Sequence, residues 1–334
     1  MRLTRRGYGV LAVVVVAEVL ALRYGAQQRP LNAVAAPAVI ALVAGVVSLR
    51  RTAVPTAERE SVPPGFPGDT REVTVDVDGE GVAHVSETVP DGLAATDASA
   101  ERTLPVSFSY TLSCEKRGRH TLGPLEVGVR DVLGLFERRY RVGSTGSVLV
   151  YPPVYKVAAQ GILREHVLDH AEFERREFDT LREYAPGDPL RDVHWKTTAK
   201  DPDEIFVTEF ADRRVDHDVV IAAEATGDSV DEMATAAASI AVVAIEAALG
   251  VELRLPDGSV PLGHGPTHRE NLLEALATTD GGRLDGGSGP RDDVDVHVVG
   301  DADGVTIRFD DRTESLAGMT VSRENPLVTR EVES

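Results

Sequence analysis

The chain has 334 residues, and its 54 aspartates and glutamates outnumber its 35 lysines and arginines to give a formal net charge of −19. So acidic a surface argues against a nucleic-acid-binding protein, because contacts with phosphates need a positive surface. A hydrophobic content of 42% excludes wholesale disorder, and a single cysteine excludes a fold held by intramolecular disulfides.

The charge is unevenly distributed along the chain. Residues 1–51 contain seven arginines and one glutamate, a net of +6, so the remaining 283 residues carry −25. The whole chain has four lysines, at positions 116, 156, 196 and 200. An acidic, lysine-poor surface is typical of proteins from a high-salt cytoplasm, where salt screens the repulsion among carboxylates. The composition therefore favours a halophilic, archaeal source over an ordinary acidic protein.

Two apolar segments open the chain and predict two transmembrane helices. Residues 7–22 are interrupted by Glu18 alone, and residues 31–49 contain no charge. About 20 apolar residues cross a bilayer, so residues 7–49 are predicted to contact the lipid bilayer as a tight helical hairpin. Arginines on both outer flanks predict a multi-pass cell-membrane protein with two spans and a cytoplasmic soluble region. The alternative is a twin-arginine export signal at Arg5-Arg6, although no cleavage site closes the first segment convincingly.

Short strands are predicted after a linker. Residues 52–70 are rich in proline and glycine and show no periodicity. Alternating valines then lead into an Asp-Gly-Glu-Gly turn at residues 78–81, and residues 82–89 return as a second strand. Apolar side chains alternate without a break over residues 104–114, which is the period of a half-buried strand. Residues 71–151 are therefore predicted to form a small antiparallel β-sandwich domain.

The pattern changes to alternating strands and helices in residues 152–334. Strands are predicted at residues 205–210, 218–223, 251–255, 294–299 and 305–309. Helices are predicted at residues 158–176, from Ser229 to Leu249 and from Thr267 to Ala277, the last two opened by capping boxes. This alternation predicts an α/β domain with a largely parallel sheet.

The densest cluster of unusual residues lies between Leu181 and Phe210. It contains the pattern Arg-x-Tyr-x-x-Gly-Asp-x-x-Arg-x-Val-His-Trp, formed by Arg182, Tyr184, Gly187, Asp188, Arg191, Val193, His194 and Trp195. In this pattern the chain resembles the domain-of-unknown-function-58 family. A second stretch, from Arg117-Gly118 through Gly123-Pro124 to the Asp-Val-Leu-Gly-Leu-Phe run at residues 131–136, also resembles that family.

The resemblance implies a fold, a function and a partner. It implies that residues 152–334 form a von Willebrand A-like domain. It also implies a non-enzymatic, membrane-tethered interaction or scaffold protein that acts with a MoxR-type AAA ATPase in the assembly or remodelling of other proteins. The client protein is left open, and no cofactor and no nucleic-acid partner are expected.

Three interpretations of the signature remain open. Arg182 or Arg191 could form a bidentate pair with Asp188, and Trp195 could pack under the turn with Tyr184. The segment would then be a buried brace between domains. It could instead be a docking surface for a partner, or an acid–base site built on Asp188 and His194, although no activated nucleophile accompanies these residues. We assign no catalytic residue and treat the signature as structural or partner-docking.

Two places in the sequence are candidate metal sites. Von Willebrand A domains often bind a divalent cation through Asp-x-Ser-x-Ser, whereas the matching turn here has Glu224, Thr226 and Asp228. The turn is therefore predicted to be a degenerate metal motif whose residues cap the next helix. His166 and His170 would share one face of a helix, but no third ligand is evident. No metal is predicted; the alternative function is a metal-dependent hydrolase that uses the His166/His170 pair or the Glu224 turn.

Overall fold

A computed structural model describes residues 1–24, 29–143, 145–159, 180–183, 206–209, 218–284, 294–309 and 312–328. The chain divides into two compact units, Met1–Tyr151 and Pro152–Ser334. The first contains the helical segment, the predicted linker and the predicted sandwich, and the second contains the signature segment and the predicted α/β domain.

The first unit opens with a short strand and two helices. Strand β1 is Arg2–Leu3, helix α1 is Arg5–Tyr24 and helix α2 is Arg29–Arg51. The two helices pack against each other. Among the described residues, one helical stretch, Ala33–Arg51, is long and apolar enough to cross a membrane, and such a stretch near the N-terminus is also typical of a signal sequence.

The prediction of a multi-pass cell-membrane protein with two spans and a cytoplasmic remainder is therefore wrong. The described residues contain one candidate span where the prediction requires two. The reason lies in the composition of the first helix. Its 20 residues include Arg5, Arg6, Glu18 and Arg23. These charges leave an apolar segment shorter than a bilayer requires.

The remaining strands of the first unit form one large sheet and one ribbon. The strands are β2 (Thr56–Arg59), β3 (Thr70–Ser86), β4 (Leu93–Thr96), β5 (Ser99–Cys114), β6 (Gly118–Leu122), β7 (Leu125–Arg130), β8 (Phe136–Val142) and β9 (Gly146–Val150). The seven-stranded sheet has the order β1-β8-β7-β3-β5-β4, with β2 added beside β3, and every pairing is antiparallel. Strands β6 and β9 form a separate antiparallel ribbon.

The turn predicted at residues 78–81 does not reverse the chain. Strand β3 runs through it, and its pairing with β5 shifts register between Val77 and Gly81. Gly79 and Gly81 have φ angles of +153° and +92°. Glycine adopts such angles readily, so this pair forms a bulge that bends a long strand. The sequence pattern of a bulge resembles that of a hairpin turn, and the 16-residue partner β5 decides between them by pairing on both sides.

The predicted alternation in β5 is confirmed. Leu104, Phe108, Tyr110, Leu112 and Cys114 are buried, and they join a core with side chains from both the sheet and the ribbon. The free Cys114 thiol is a buried apolar filler, and burial raises its pKa. Leu49 of helix α2, 1% exposed, belongs to the same core. The last turns of α2 are therefore part of the first unit's interior.

The second unit contains a six-stranded mixed sheet. Its strands are β13 (Asp218–Ala225), β14 (Gly250–Leu255), β15 (Gly258–Gly263), β16 (Val296–Asp301), β17 (Gly304–Phe309) and β18 (Arg312–Ser315), in the order β15-β14-β13-β16-β17-β18. Its helices are α3 (Val230–Glu246), α4 (Gly265–Thr278) and α5 (Leu316–Met319). Two smaller pairs are β10 (Lys156–Val157) with β19 (Thr320–Ser322), and β11 (Thr180–Glu183) with β12 (Phe206–Glu209).

The predicted fold class is wrong as a whole. It combines a helical hairpin of two spans, a small β-sandwich and a von Willebrand A-like α/β domain. Besides the single candidate span, the first unit is dominated by one long antiparallel sheet. In the second unit β13 pairs in parallel with β14 and β16, whereas the other described pairings of this sheet are antiparallel.

Tight turns explain why the second sheet is mixed. Residues 256–257 and 302–303 are two-residue connections that send the chain straight back as β15 and β17. A parallel neighbour needs a crossover of a dozen or more residues, and these connections are far too short for one. The helix predicted at residues 158–176 lies almost entirely outside the described residues; Ala158 and Ala159 form a turn.

Helix α3 is the apolar centre of the second unit. Thirteen of its 17 residues are buried, most of them alanine, valine or isoleucine. It packs on β13, β14, β16 and β17. Small side chains let a helix lie close to a sheet, and the charged residues of α3 (Asp231, Glu232 and Glu246) are confined to its exposed ends.

Candidate functional site

The predicted signature lies almost wholly outside the described residues. Of its site residues, Arg182 is in β11, where Val207 of β12 is its cross-strand partner. Tyr184, Gly187, Asp188, Arg191, His194 and Trp195 lie outside the described residues, as do His166 and His170. Whether the turn is a brace or a docking surface therefore stays a prediction.

The turn at Glu224 is described, and its carboxylate faces the interior. Glu224 lies near the carboxyl end of β13 and is 0% exposed. Its Oε2 accepts a hydrogen bond of 2.8 Å from the Leu284 amide, and its Oε1 lies 3.2 Å from Nε2 of His297 on β16. Burying a carboxylate is costly unless hydrogen bonds and a partner offset the loss of water, and this carboxylate has both.

The other polar groups near the carboxyl end of β13 also form hydrogen bonds within the fold. The Ser229 hydroxyl donates to the Asp301 carbonyl, and the Thr226 amide lies 3.4 Å from the Gly300 carbonyl. Within the part of the chain that the structure describes, no group of three or more His, Cys, Asp or Glu side chains is placed to hold a metal ion. The described polar groups therefore stabilise the loop that leads into α3.

A second site is built on the Asp-Val-Leu-Gly-Leu-Phe loop, residues 131–136. Asp131 is buried, and its Oδ1 accepts from the Phe136 amide at 2.6 Å while its Oδ2 accepts from the Leu133 amide at 3.1 Å. One carboxylate thus closes the loop from inside. The loop leaves two apolar side chains outside: Val132 is 94% exposed and Leu133 is 50% exposed.

This loop holds the start of α1. The Thr4 hydroxyl donates to the Gly134 carbonyl at 2.6 Å, and the Thr4 amide donates to the Leu135 carbonyl at 2.9 Å. The same hydroxyl accepts from the Gly7 amide at 3.1 Å, so Thr4 caps the first turn of α1. A Cβ atom at position 7 would overlap the Leu135 carbonyl oxygen.

The loop also holds the end of α2. A Cβ atom at Gly45 would lie 3.0 Å from the Asp131 Oδ2 atom and 3.0 Å from the Phe136 ring. One turn later, Leu49 enters the core. We call this junction, formed by Thr4, Gly7, Gly45, Leu49 and residues 131–136, the hairpin base. It fixes both helices to the first unit.

The helices beyond the hairpin base are largely uncovered. Only 17% of the candidate span in α2 is buried. The exposed large apolar side chains of the two helices include Tyr8, Val13, Val15, Val16, Val19, Leu22, Val34, Val39, Ile40, Val43 and Val47. Apolar patches of this extent are uncommon on free soluble proteins and mark surfaces that bind something.

The first unit also contains a buried ion pair that the sequence did not indicate. Arg59 Nη2 lies 2.5 Å from Glu87 Oε2, and the two side chains are 4% and 0% exposed. The Tyr110 hydroxyl donates to the same carboxylate oxygen at 3.0 Å. Burial, together with the neighbouring Glu87 charge, raises the pKa of Tyr110 far above its ordinary value. This cluster joins β2, the end of β3 and β5.

Comparisons with known proteins leave the family open. No family model matches the chain. It is similar to the uncharacterized protein YeaD of Bacillus subtilis, with 23% identity over 212 residues, which cover 58% of this chain and 53% of YeaD. The chain thus spans about half the length of this relative.

Similar solved structures cover about a third of the chain. The YadV chaperone matches with a TM-score of 0.23 and 8% identity, covering 31% of this chain and 55% of that one. A non-cellulosomal cohesin from Archaeoglobus fulgidus matches with a TM-score of 0.21 and 15% identity, covering 34% of this chain and 99% of that one. Scores this low support no argument about function.

Proposed function

We propose that this chain is a non-enzymatic interaction protein of the domain-of-unknown-function-58 family, acting with a MoxR-type AAA ATPase in the assembly or remodelling of other proteins. The family and the ATPase follow from the signature at residues 182–195. The interaction role rests on one observation, the uncovered apolar surface of α1 and α2 above the hairpin base.

The comparison with α3 supports this role. An apolar helix that serves only as a core element is covered by its own chain, as α3 is. Helix α2 has a comparable apolar composition, yet most of its candidate span is exposed. Exposed apolar area is unfavourable in water by about 25 cal/mol per Å², so a surface of this kind is covered in use.

The hairpin base holds the apolar surface of α1 and α2 in a fixed orientation on the first unit. Leu49 in the core, the Thr4 hydrogen bonds and the close approach at Gly45 tie both helices to the β-sheet of the first unit. A flexible leader would not need such a junction. The helices therefore belong to the folded unit, which suits a scaffold that holds one surface while another part of the chain binds a partner.

The Glu224 turn also favours binding over catalysis. A catalytic carboxylate must reach a substrate or a bound ion. Glu224 is fully buried and hydrogen-bonded to Leu284, with His297 as its neighbour. A hydrolase built on this turn would need the carboxylate to leave those contacts.

The test is affinity purification of the full chain from detergent-solubilised cells at molar salt, followed by identification of the bound proteins. We expect an AAA ATPase to be enriched relative to a bait that carries only an unrelated apolar hairpin. Asp188→Ala separates the two roles of the signature: a docking residue loses the ATPase at unchanged melting temperature, whereas a brace also lowers the melting temperature. Absence of any AAA ATPase, or one tightly bound metal ion per chain with hydrolase activity, would contradict the proposal.

A further inference from the structure

Arginines gather around the hairpin base. Arg5 and Arg6 open α1, and Arg50 and Arg51 close α2. Strand β1 precedes α1 directly and pairs with β8, with Arg2 opposite Glu137. Arg139 and Arg141 follow on the same face of β8, since alternate residues of a strand share a face. We call these seven exposed side chains the basic belt: Arg2, Arg5, Arg6, Arg50, Arg51, Arg139 and Arg141.

The basic belt has few internal partners. Within the described residues, its five arginines on β1, α1 and α2 have no carboxylate partner. Arg139 Nε lies 2.7 Å from Glu137 Oε1, and Arg141 Nε lies 3.3 Å from Glu126 Oε1. Each of these two guanidinium groups keeps its other N–H donors for a further ligand. The seven arginines and the two glutamates sum to +5, and the buried Asp131 carboxylate of the hairpin base reduces this to +4, in a chain whose net charge is −19.

A groove lies within the belt. Its volume is about 510 Å³, and Arg2, Arg139 and Arg141 line it together with Glu126 and Glu137. A guanidinium group binds phosphate oxygens with two parallel hydrogen bonds, and it suits phosphate better than a lone ammonium does. The groove therefore fits a phosphate group that is partly surrounded by arginines.

The position of the belt indicates which phosphate. On one side lies the uncovered apolar surface of α2, and beside the helix ends the hairpin base exposes Val132 and Leu133. An apolar surface bordered by arginines is the arrangement found where a protein meets the boundary between lipid tails and headgroups. A free anion or an acidic protein segment would explain the arginines but not the adjoining apolar surface.

We propose that the basic belt binds the anionic phosphate headgroups of a lipid surface, with the groove between Arg2 and the Arg139/Arg141 pair as the headgroup site. This inference deepens the proposed function, because it names what covers the apolar helices. It does not depend on the ATPase, so the two proposals fail separately.

The experiment measures lipid retention by the purified full chain. The protein is mixed in a non-ionic detergent with equal amounts of phosphatidylglycerol and phosphatidylcholine, and bound lipid is counted by native mass spectrometry. We expect the anionic lipid to be retained over the zwitterionic one. Because each arginine near an anionic surface contributes a factor of about five, Arg139→Gln/Arg141→Gln should lower this preference roughly 25-fold.

Two further variants control for loss of charge elsewhere and for misfolding. Arg102→Gln/Arg269→Gln removes the same charge outside the belt and should leave the preference unchanged. Arg2→Gln, at an exposed position without a carboxylate partner, should lower it about fivefold even if the double variant misfolds. Equal retention of the two lipids, or an equal loss in the control, would overturn the proposal. Displacement of the lipid by millimolar inorganic phosphate or by a poly-glutamate peptide would also overturn it, in favour of a free anion or an acidic protein segment.

Discussion

The two regions of α2 have opposite surroundings although their composition is the same. Around Ile40 and Val43 the helix is exposed, whereas at Gly45 it meets Asp131 and at Leu49 it enters the core of the first unit. Hydrophobicity alone therefore does not distinguish a helical turn that is buried from one that is exposed. The difference is made by residues later in the chain, which build the loop at 131–136 and the sheet beneath it.

The largest expected effect comes from weakening the β-sheet without touching α2. Arg59→Ala leaves the buried Glu87 carboxylate without its cation, which costs about 3 to 5 kcal/mol. Urea unfolding of the full chain in a non-ionic detergent measures the loss. The exposed Arg102→Ala is the matched control and should stay within about 0.5 kcal/mol of the unchanged protein. An equal loss of unfolding free energy in the two variants would mean that the buried ion pair contributes no more to stability than an exposed arginine does.

The comparison within α2 is tested directly by truncating one side chain in each region. Leu49→Ala should cost about 2 to 5 kcal/mol, because it leaves a cavity in the core. Ile40→Ala removes a similar amount of apolar side chain from an exposed position and should change the same unfolding transition by less than about 0.5 kcal/mol. If Leu49→Ala were as mild as Ile40→Ala, the end of α2 would not belong to the folded unit.

A smaller effect is expected where the loop meets the helices. Asp131→Ala leaves the Leu133 and Phe136 amides without their acceptor and should cost about 1 to 3 kcal/mol. Asp91→Ala, at an exposed turn, is the control. Hydrogen exchange should show faster exchange in residues 131–136 and in the first turn of α1. Protection that falls across the whole sheet instead would show that the loop is not a local junction.

The smallest effect concerns Glu137, beside the same loop. Hydrogen bonds from Arg139 and Arg130 hold the pKa of Glu137 below its ordinary value. Because the folded-state pKa is depressed, the stabilisation is present above the unfolded-state pKa and is lost as the pH falls through the folded-state pKa. Glu137→Gln should cost about 0.5 kcal/mol near neutral pH, and the difference should vanish in acid. Unfolding curves at several acidic pH values would detect this; a constant difference would contradict it.

Local elements were predictable where one simple period dominates. The alternation in β5 and the apolar runs of α1 and α2 each depend on neighbouring residues alone. The capping box predicted at Ser229 is wrong, because the Ser229 side chain makes no capping hydrogen bond to α3 and its hydroxyl donates to the Asp301 carbonyl instead. Their arrangement was not predictable. The Asp-Gly-Glu-Gly stretch is a bulge because β5 pairs on both sides of it, and the second sheet is mixed because short turns return the chain at once.

The sites were harder to predict for a related reason. Arg59 stands in a proline- and glycine-rich stretch whose pattern predicts a linker, yet it pairs with Glu87 28 residues later. His297 sits in an apolar strand, and only the fold brings it to Glu224, 73 residues earlier. For Glu224 and His297, a charged or imidazole side chain inside an otherwise apolar strand was the available signal. It indicates burial with a partner, but it does not say which partner.

The hairpin base has a consequence for synthesis. Leu49 packs in a core that is complete only when Val150 of β9 has been made, 101 residues later. At translation rates of roughly 5 to 20 residues per second, that interval is about 5 to 20 seconds. The apolar helices therefore leave the ribosome before the sheet that will hold their ends is complete. The helices must therefore find an apolar environment or a chaperone before the rest of the unit folds, and the sheet then closes on a hairpin that is already protected.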